Sequence, residues 1–204
     1  HHFQIYFLVG SIAVNGPANK FCNRGFIIDD EGKIRSRYDK IHLFDINLSE
    51  RQTYRESATV YGGKIATICQ TPFGRLGHTI CYDIRFPHLY RELAKAGAEI
   101  LFVPAAFTKK TGEAHWHILN RARAIENGAY VIAPCAIGKI DGGGECYGHS
   151  LIISPWGEVI ADGGEKPGII TATIDLEEVH SARQRIPSLS HDRSFELMKG
   201  DERE

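Results

Sequence analysis

The stretch Gly77-His78-Thr79-Ile80-Cys81-Tyr82-Asp83-Ile84-Arg85-Phe86-Pro87, followed by Leu89-Tyr90-Arg91-Glu92-Leu93-Ala94 and then Glu99-Ile100-Leu101-Phe102-Val103, decides the fold class. Leu76 to Cys81 reads as a strand. Phe86, Leu89, Tyr90, Leu93 and Ala94 then share one face at helical spacing over Phe86 to Ala96, with Pro87 suited to a first turn and Gly97 to a stop. Ile100 to Val103 completes a β-α-β order. His115 to Asn127 repeats the theme: Ile118, Leu119, Ala122 and Ile125 form an apolar face, Gly128 follows as a stop, and Tyr130 to Ala133 is the next strand.

Working outward, further strands are expected at Ile5 to Val9, Phe26 to Ile28, Lys64 to Cys69, Ser150 to Ile153 and Ile169 to Ile174. Asp29-Asp30-Glu31-Gly32 and Pro155-Trp156-Gly157-Glu158 read as hairpin turns. The expectation is a single α/β domain over residues 1–204, a sheet with helices on one face that the hairpins extend. Gly142-Gly143-Gly144 predicts a mobile loop, and Lys109-Lys110-Thr111, lacking the glycines of a phosphate-binding loop, predicts a loop charge pair. Residues 176–204 turn polar and read as a C-terminal tail, extended from Arg183 to Ser190.

With 43% apolar residues in 204, the chain can bury a substantial core. Its 24 basic and 25 acidic residues are interspersed, without the basic stripe that a nucleic acid requires. No apolar run approaches the roughly 18 to 20 residues of a membrane span and no signal-type segment opens the chain, so a cytoplasmic protein is the default. The five cysteines contain no C-x-x-C pair, which favours reduced thiols over a disulfide framework or a zinc knuckle. The histidines show no ligand pattern: His115 and His117 would point to different sides of a helix, and no H-x-x-x-H pair occurs. No metal and no cofactor are expected.

Cys81 is placed at a strand-to-helix turn, where a helix N-terminus favours a thiolate; the competing reading is a small core hydrophobe. Cys22, Cys69 and Cys135 have apolar contexts and read as structural, and Cys146 reads as a loop residue. A second string, Tyr38-Asp39-Lys40-Ile41-His42-Leu43-Phe44-Asp45, surrounds Lys40 with charge, while Ile41, Leu43 and Phe44 draw it toward a core or pocket wall. Glu56, in Tyr54-Arg55-Glu56-Ser57, reads on its own as an exposed loop acid.

Taken together, these strings resemble the nitrilase superfamily of carbon–nitrogen hydrolases. The lysine string is similar to its Y-x-K-x-H-L-F-D block and the cysteine string to its G-x-x-I-C-Y-D-I-R-F-P block. Gly112-Glu113-Ala114-His115-Trp116 through Arg121-Ala122-Arg123-Ala124-Ile125-Glu126-Asn127 resembles a third block, and Tyr147-Gly148-His149-Ser150 to Pro155-Trp156-Gly157 a fourth. Cys81-Tyr82-Asp83-Ile84-Arg85 resembles the amidase branch that contains omega-amidase and deaminated-glutathione amidase; His88 departs from the glutamate of many relatives.

The resemblance implies half of an α-β-β-α sandwich that assembles as a homodimer or larger, and a small primary amide as substrate. It implies Cys81 as nucleophile, Lys40 as the cation beside thiol and oxyanion, and Glu56 as the acid that positions Lys40 and the hydrolytic water. The Tyr82 backbone N–H would complete the oxyanion site. Arg85 is a candidate for a substrate carboxylate, with an Arg85–Asp83 pair as the alternative, and Phe107 is a candidate pocket wall. The family's general-base glutamate, expected well upstream of the lysine, has no match among Asp29, Asp30, Glu31 and Asp39. The expectation is therefore a chain lacking the first strands, the first helix and that base. Other readings are an N-carbamoyl amidase, an acyl-transferring relative, or a non-catalytic module with a redox-sensitive Cys81.

Overall fold

A computed structural model describes residues 4–49, 52–140 and 144–200. Three antiparallel strands open the fold: β1 (Phe7–Asn15), β2 (Phe21–Ile28) and β3 (Ile34–Asp39). A hairpin of β4 (Asp45–Ser49) and β5 (Gln52–Arg55) follows. Next come β6 (Thr67–Thr71), β7 (Gly74–His78), α1 (Pro87–Lys95), β8 (Ile100–Phe102), α2 (Lys109–Asn127) and β9 (Tyr130–Ala133). The hairpin β10 (Ile137–Lys139) and β11 (Glu145–Tyr147), the pair β12 (Leu151–Ile153) and β13 (Val159–Asp162), and α3 (Glu177–Arg185) complete the described chain. The second sheet has six strands in the order β13-β12-β9-β8-β7-β6. Within it β7, β8 and β9 are parallel, linked through α1 and α2, and the flanking strands are antiparallel.

The central strands are apolar on both faces because both are covered. Leu101 and Val103 of the β8 segment, and Val131 and Ala133 of β9, pack with Leu89, Tyr90, Leu93, Trp116 and Ala124 of the two helices. The alternate residues Ile100 and Tyr130 face the other way, into a core shared with Ile27 of β2, Cys69 and Leu76. The α/β class and the helix-on-sheet layer agree with the sequence reading. The opening hairpin departs from it: β1, β2 and β3 form a separate sheet stacked across the first. In β2, Cys22, Gly25 and Ile27 are buried while intervening residues are less so, a one-sided strand that suits stacking rather than edge extension.

Both predicted hairpin turns are present, with Gly32 N–H donating to Asp29 O at 3.0 Å and Gly157 N–H to Ser154 O at 2.9 Å. α1 ends as expected, with Gly97 at φ +99° and Ala98 N–H returning to Leu93 O at 2.9 Å. α2 begins at Lys109 rather than His115, so the Lys109-Lys110-Thr111 run lies in a helix and not in a loop. Gly112, a poor helix former, hides that first turn from a propensity reading, yet it is required by packing. A Cβ there would lie 2.3 Å from the Tyr147 ring. Cys146 is buried in β11 rather than placed in a loop. Gly142 and Gly143 of the predicted loop lie outside the described residues.

Two expectations for the end of the chain are corrected. Ile169 to Ile174 forms no strand, because among the described residues no strand pairs with it. Ile174 packs on the inter-sheet core while Ile169 is exposed. From Glu177 to Asp192 the tail is also not loose. α3 buries Val179 and Ala182, two positions too few to register as periodicity in a charged segment. Arg183 donates to Ala98 O and Asn127 O, at the C-terminal ends of α1 and α2, and Arg91 holds Ser188 O at 2.7 Å and pairs with Asp192.

Candidate active site

The parallel strands β7, β8 and β9 end side by side, and their exit loops stay paired. Cys81 N–H donates to Pro104 O, and Ala105 N–H to Pro134 O, each at 2.9 Å. The carboxyl ends of adjacent parallel strands form a crevice of the kind that carries ligands in α/β sheets. Gly10, Ser11 and Asn23 of the facing sheet close the other side. The open cleft between them measures about 820 Å³, and Lys40, Glu56 and Cys81 all line it, with Phe44, Ala106 and Cys135. Three residues proposed from separate parts of the sequence are thus gathered at one place.

Lys40 follows the last residue of β3 and is 3% exposed, which overrules the solvated reading. Its Nζ lies 2.5 Å from Glu56 Oε2, and Phe44 N–H donates to the same oxygen at 2.6 Å. Glu56 opens a 3-10 turn at the end of β5. Asp45, at the start of β4, steadies that turn by accepting Ser57 N–H at 2.9 Å. Glu56 is therefore a buried-pair partner and not an exposed loop acid. Among the described residues lining the cavity it is the one carboxylate.

Cys81 opens a 3-10 turn, Cys81–Arg85, with φ +50°, in the left-handed region that non-glycine residues seldom occupy. Such strain concentrates at functional turns. The expected thiolate preference is not found: burial pushes the Cys81 thiol above its ordinary pKa, against the lowering effect of Lys40 and the Ala106 backbone N–H. A single 3-10 turn supplies little dipole, and Glu56 shares the Lys40 charge, so desolvation prevails. The Tyr82 N–H, second in the turn, is among the donors that the first turn of a helix leaves without an intrahelical partner.

Asp83 ties the two strings together. This fully buried carboxylate accepts from Tyr38 Oη at 2.7 Å, Ile80 N–H at 2.9 Å and His42 N–H at 3.0 Å, and lies 2.7 Å from His42 Nδ1. Tyr38 and His42 flank Lys40; Ile80 and Asp83 flank Cys81. Burial, then the neighbouring Asp83 charge, pushes the Tyr38 hydroxyl far up, so it stays a donor. The sequence reading missed this role, although the carboxylate stands inside the quoted cysteine string.

The Arg85–Asp83 alternative is overturned because Asp83 is already saturated. Arg85 lies 3.3 Å from His115 Nδ1 and over the rings of Tyr82 and Phe107, at 5.9 and 5.5 Å. Phe107 is buried against Trp116, with ring centroids 4.9 Å apart. Neither Arg85 nor Phe107 lines the cavity. Cys135, read as structural, is buried but does line it; burial pushes its thiol up to about 11. Its N–H donates to Ser150 Oγ at 2.9 Å, another lining residue with no prior signal.

The histidine reading concerned local spacing, and the fold adds a grouping that spacing does not address. His117 of α2, His149 and Asp162 of β13 place their potential ligand atoms within 4.8 Å of one another. The search for a local H-x-x-x-H spacing could not find a cluster built from three distant segments.

An α/β fold with a strained cysteine turn at the ends of its parallel strands, facing a buried lysine–glutamate pair, has the organisation of an enzyme. The carbon–nitrogen hydrolase profile matches residues 1–184. Over 193 residues the chain is 48% identical to the deaminated glutathione amidase of Synechocystis sp., covering 93% of this chain and 71% of that protein. Among solved structures, the C. elegans NitFhit protein matches with a TM-score of 0.87 at 40% identity, covering 93% of this chain and 47% of that one. Saccharomyces cerevisiae Nit3, described as a member of branch 10 of the nitrilase superfamily, matches with a TM-score of 0.81 at 35% identity, covering 91% and 65%. This chain belongs to the carbon–nitrogen hydrolase family, and spans from about half to seven-tenths of the length of these relatives.

Proposed function

We propose that the site hydrolyses a small primary amide at the end of a carboxylic acid chain, releasing the acid and ammonia through a thioester on Cys81. The observation that carries this reading is the convergence of Cys81, Lys40 and Glu56 on one cavity of about 820 Å³. The likeness to the Synechocystis deaminated glutathione amidase supports the substrate class.

Cys81 Sγ attacks the amide carbon, forming the C–S bond as the carbonyl electron pair moves onto oxygen. Lys40 Nζ and the Tyr82 N–H stabilise that oxyanion; one such preorganised donor is worth about 3 to 4 kcal/mol of barrier. The thiol proton must leave to a carboxylate and return to the departing nitrogen as the C–N bond breaks. The family resemblance gives that transfer to a glutamate upstream of Lys40, and among the described residues no acid preceding Lys40 lines the cavity. Water then adds to the thioester carbon, the C–S bond breaks and the thiol is restored. Glu56, held by Lys40 and Phe44 N–H through one oxygen, positions the lysine and that water.

Although Arg85 does not line the cavity, we assign it to a substrate carboxylate that extends beyond it, since its guanidinium has no carboxylate partner among the described ion pairs and its planar fork suits one. The resemblance also implies a homodimer. Exposed apolar residues support it: Ile118 and Ile125 project from α2, and Ile125 abuts the turn at Gly157 that carries exposed Trp156.

The test is ammonia release from succinamate and 2-oxoglutaramate by the chain, with Cys81→Ala and Lys40→Ala beside it. Release that vanishes with Cys81→Ala and falls by about 10²-fold or more with Lys40→Ala is expected. Wild-type turnover in Lys40→Ala removes the lysine from the mechanism, and release independent of Cys81, or none at all, refutes the proposal for this chain.

A further inference from the structure

We propose that His117, His149 and Asp162 form a binding site for one divalent transition-metal ion of the Zn²⁺ kind. The three residues come from α2, from the turn between β11 and β12, and from the last position of β13. Asp162 lies between the two rings: its Oδ2 is 3.0 Å from His117 Nε2, and its two oxygens are 2.9 and 3.0 Å from His149 Nδ1. None of the three lines the cavity that holds Cys81, so the site is separate from the one above.

Two imidazole nitrogens and one carboxylate are a donor set that zinc, cobalt and nickel ions accept. Zinc–ligand bonds of about 2.0 to 2.1 Å place tetrahedral ligand atoms about 3.3 Å apart. The observed separations from Asp162 are shorter by a few tenths of an ångström and all three ligand atoms lie within 4.8 Å of one another, so the side chains must adjust to take up an ion. The side chains retain 32%, 21% and 35% exposure, for His117, His149 and Asp162 respectively, which leaves a path for entry and a position for water.

The site is also held in shape. His149 adopts φ +53°, a left-handed conformation that a non-glycine residue keeps only under restraint. The restraint is visible on both sides of the residue. His149 N–H donates to Gly164 O at 2.7 Å, and His149 O accepts from the buried Trp116 Nε1 at 2.7 Å. Its ring stacks on Tyr147 at 4.5 Å, and Asp162 Oδ1 accepts Gly164 N–H at 2.9 Å. Outer partners of this type orient metal ligands and sharpen affinity. The competing arrangement is a carboxylate that does no more than accept two imidazole N–H bonds, and such a bridge predicts no metal affinity.

The experiment is calorimetric titration of the chain with Zn²⁺, repeated with His117→Gln and Asp162→Asn, together with the absorption spectrum of the Co²⁺ form. His117 lies on an exposed stretch of α2, and circular dichroism establishes that each variant is folded. The wild type should bind one Zn²⁺ equivalent that both variants lose or bind at least about 10- to 100-fold more weakly. The Co²⁺ spectrum of that equivalent should show ligand-field bands without a thiolate charge-transfer band, which excludes the cysteines. No binding by the wild type, unchanged affinity in the folded variants, or a thiolate band that survives in both overturns the proposal.

Discussion

Replacing Asp83 by alanine should destabilise the fold and disable the site together. The carboxylate is fully buried and receives three hydrogen-bond donors besides the His42 ring. Alanine leaves the Tyr38 hydroxyl and the Ile80 N–H without an acceptor in the interior, and the His42 N–H and ring with only partial access to water. Each orphaned buried donor costs about 1 to 3 kcal/mol. A loss of about 4 kcal/mol is therefore expected, against the roughly 5 to 15 kcal/mol that stabilises an ordinary domain. Urea unfolding followed through the two tryptophans measures it. The effect on turnover should exceed the loss of folded protein, because Lys40 and Cys81 are each held between residues that bond to Asp83. Misplacement of reacting groups by about 1 Å lowers rate by about 10²-fold. Asp83→Asn keeps shape and one acceptor oxygen, so it should fall between wild type and alanine in both assays. A destabilisation by Asp83→Ala below about 1 kcal/mol, or full ammonia release per folded molecule, would refute the idea that this carboxylate couples the two strings.

Two further outcomes follow from buried or exposed surfaces. His78 is wholly buried and neither ring nitrogen makes a well-formed hydrogen bond; burial lowers its pKa to about 4 against an ordinary 6.5, the Gly10 carbonyl opposing that shift only weakly. Between those values the unfolded chain holds a proton that the folded chain does not, so stability should fall as pH drops from about 6.5 toward 4, by up to about 1.4 kcal/mol per pH unit and about 3 in total. Unfolding midpoints across that range should flatten in His78→Phe, and identical slopes in the two proteins would show that His78 is not the group responsible. For the apolar face of α2, sedimentation should find the wild type as a dimer or larger and Ile118→Lys with Ile125→Lys as a smaller species; a monomeric wild type would remove that assignment.

The parallel core was legible because its strands are apolar runs of strand length and α1 is one-sided, with stops at Gly97 and Gly128. The face expected for α2 was wrong, since Ile118 and Ile125 are exposed while Trp116, Asn120, Arg123, Ala124 and Asn127 are buried. The stacked second sheet was not, since the run around Phe26 to Ile28 looks the same whether it extends one sheet or covers another. Helix α3 escaped notice because Val179 and Ala182 alone carry its buried face, and the first turn of α2 because Gly112 was chosen for the approach of Tyr147 rather than for helix propensity. The strand expected at Ile169 to Ile174 shows the converse error. Alternation of apolar residues describes a chain prepared to pair, and pairing still depends on a neighbour that lies far away in sequence.

The candidate site was legible for a different reason, which Asp83 explains. Cys81 needs a left-handed backbone, a conformation costing about 1 to 3 kcal/mol when unsupported. Support comes from the Asp83 bond to Ile80 N–H just before it and the Pro104 bond to its own N–H. The same carboxylate fixes Tyr38 and His42 on either side of Lys40. A change at Tyr38, His42, Ile80 or Asp83 would act on both strings, which ties them into one mechanical unit. His117, His149 and Asp162 have no such linkage along the chain. Their meeting depends on the placement of α2 against β13, which the sequence expresses only through its whole fold. A cluster of that kind becomes visible when distances replace spacings.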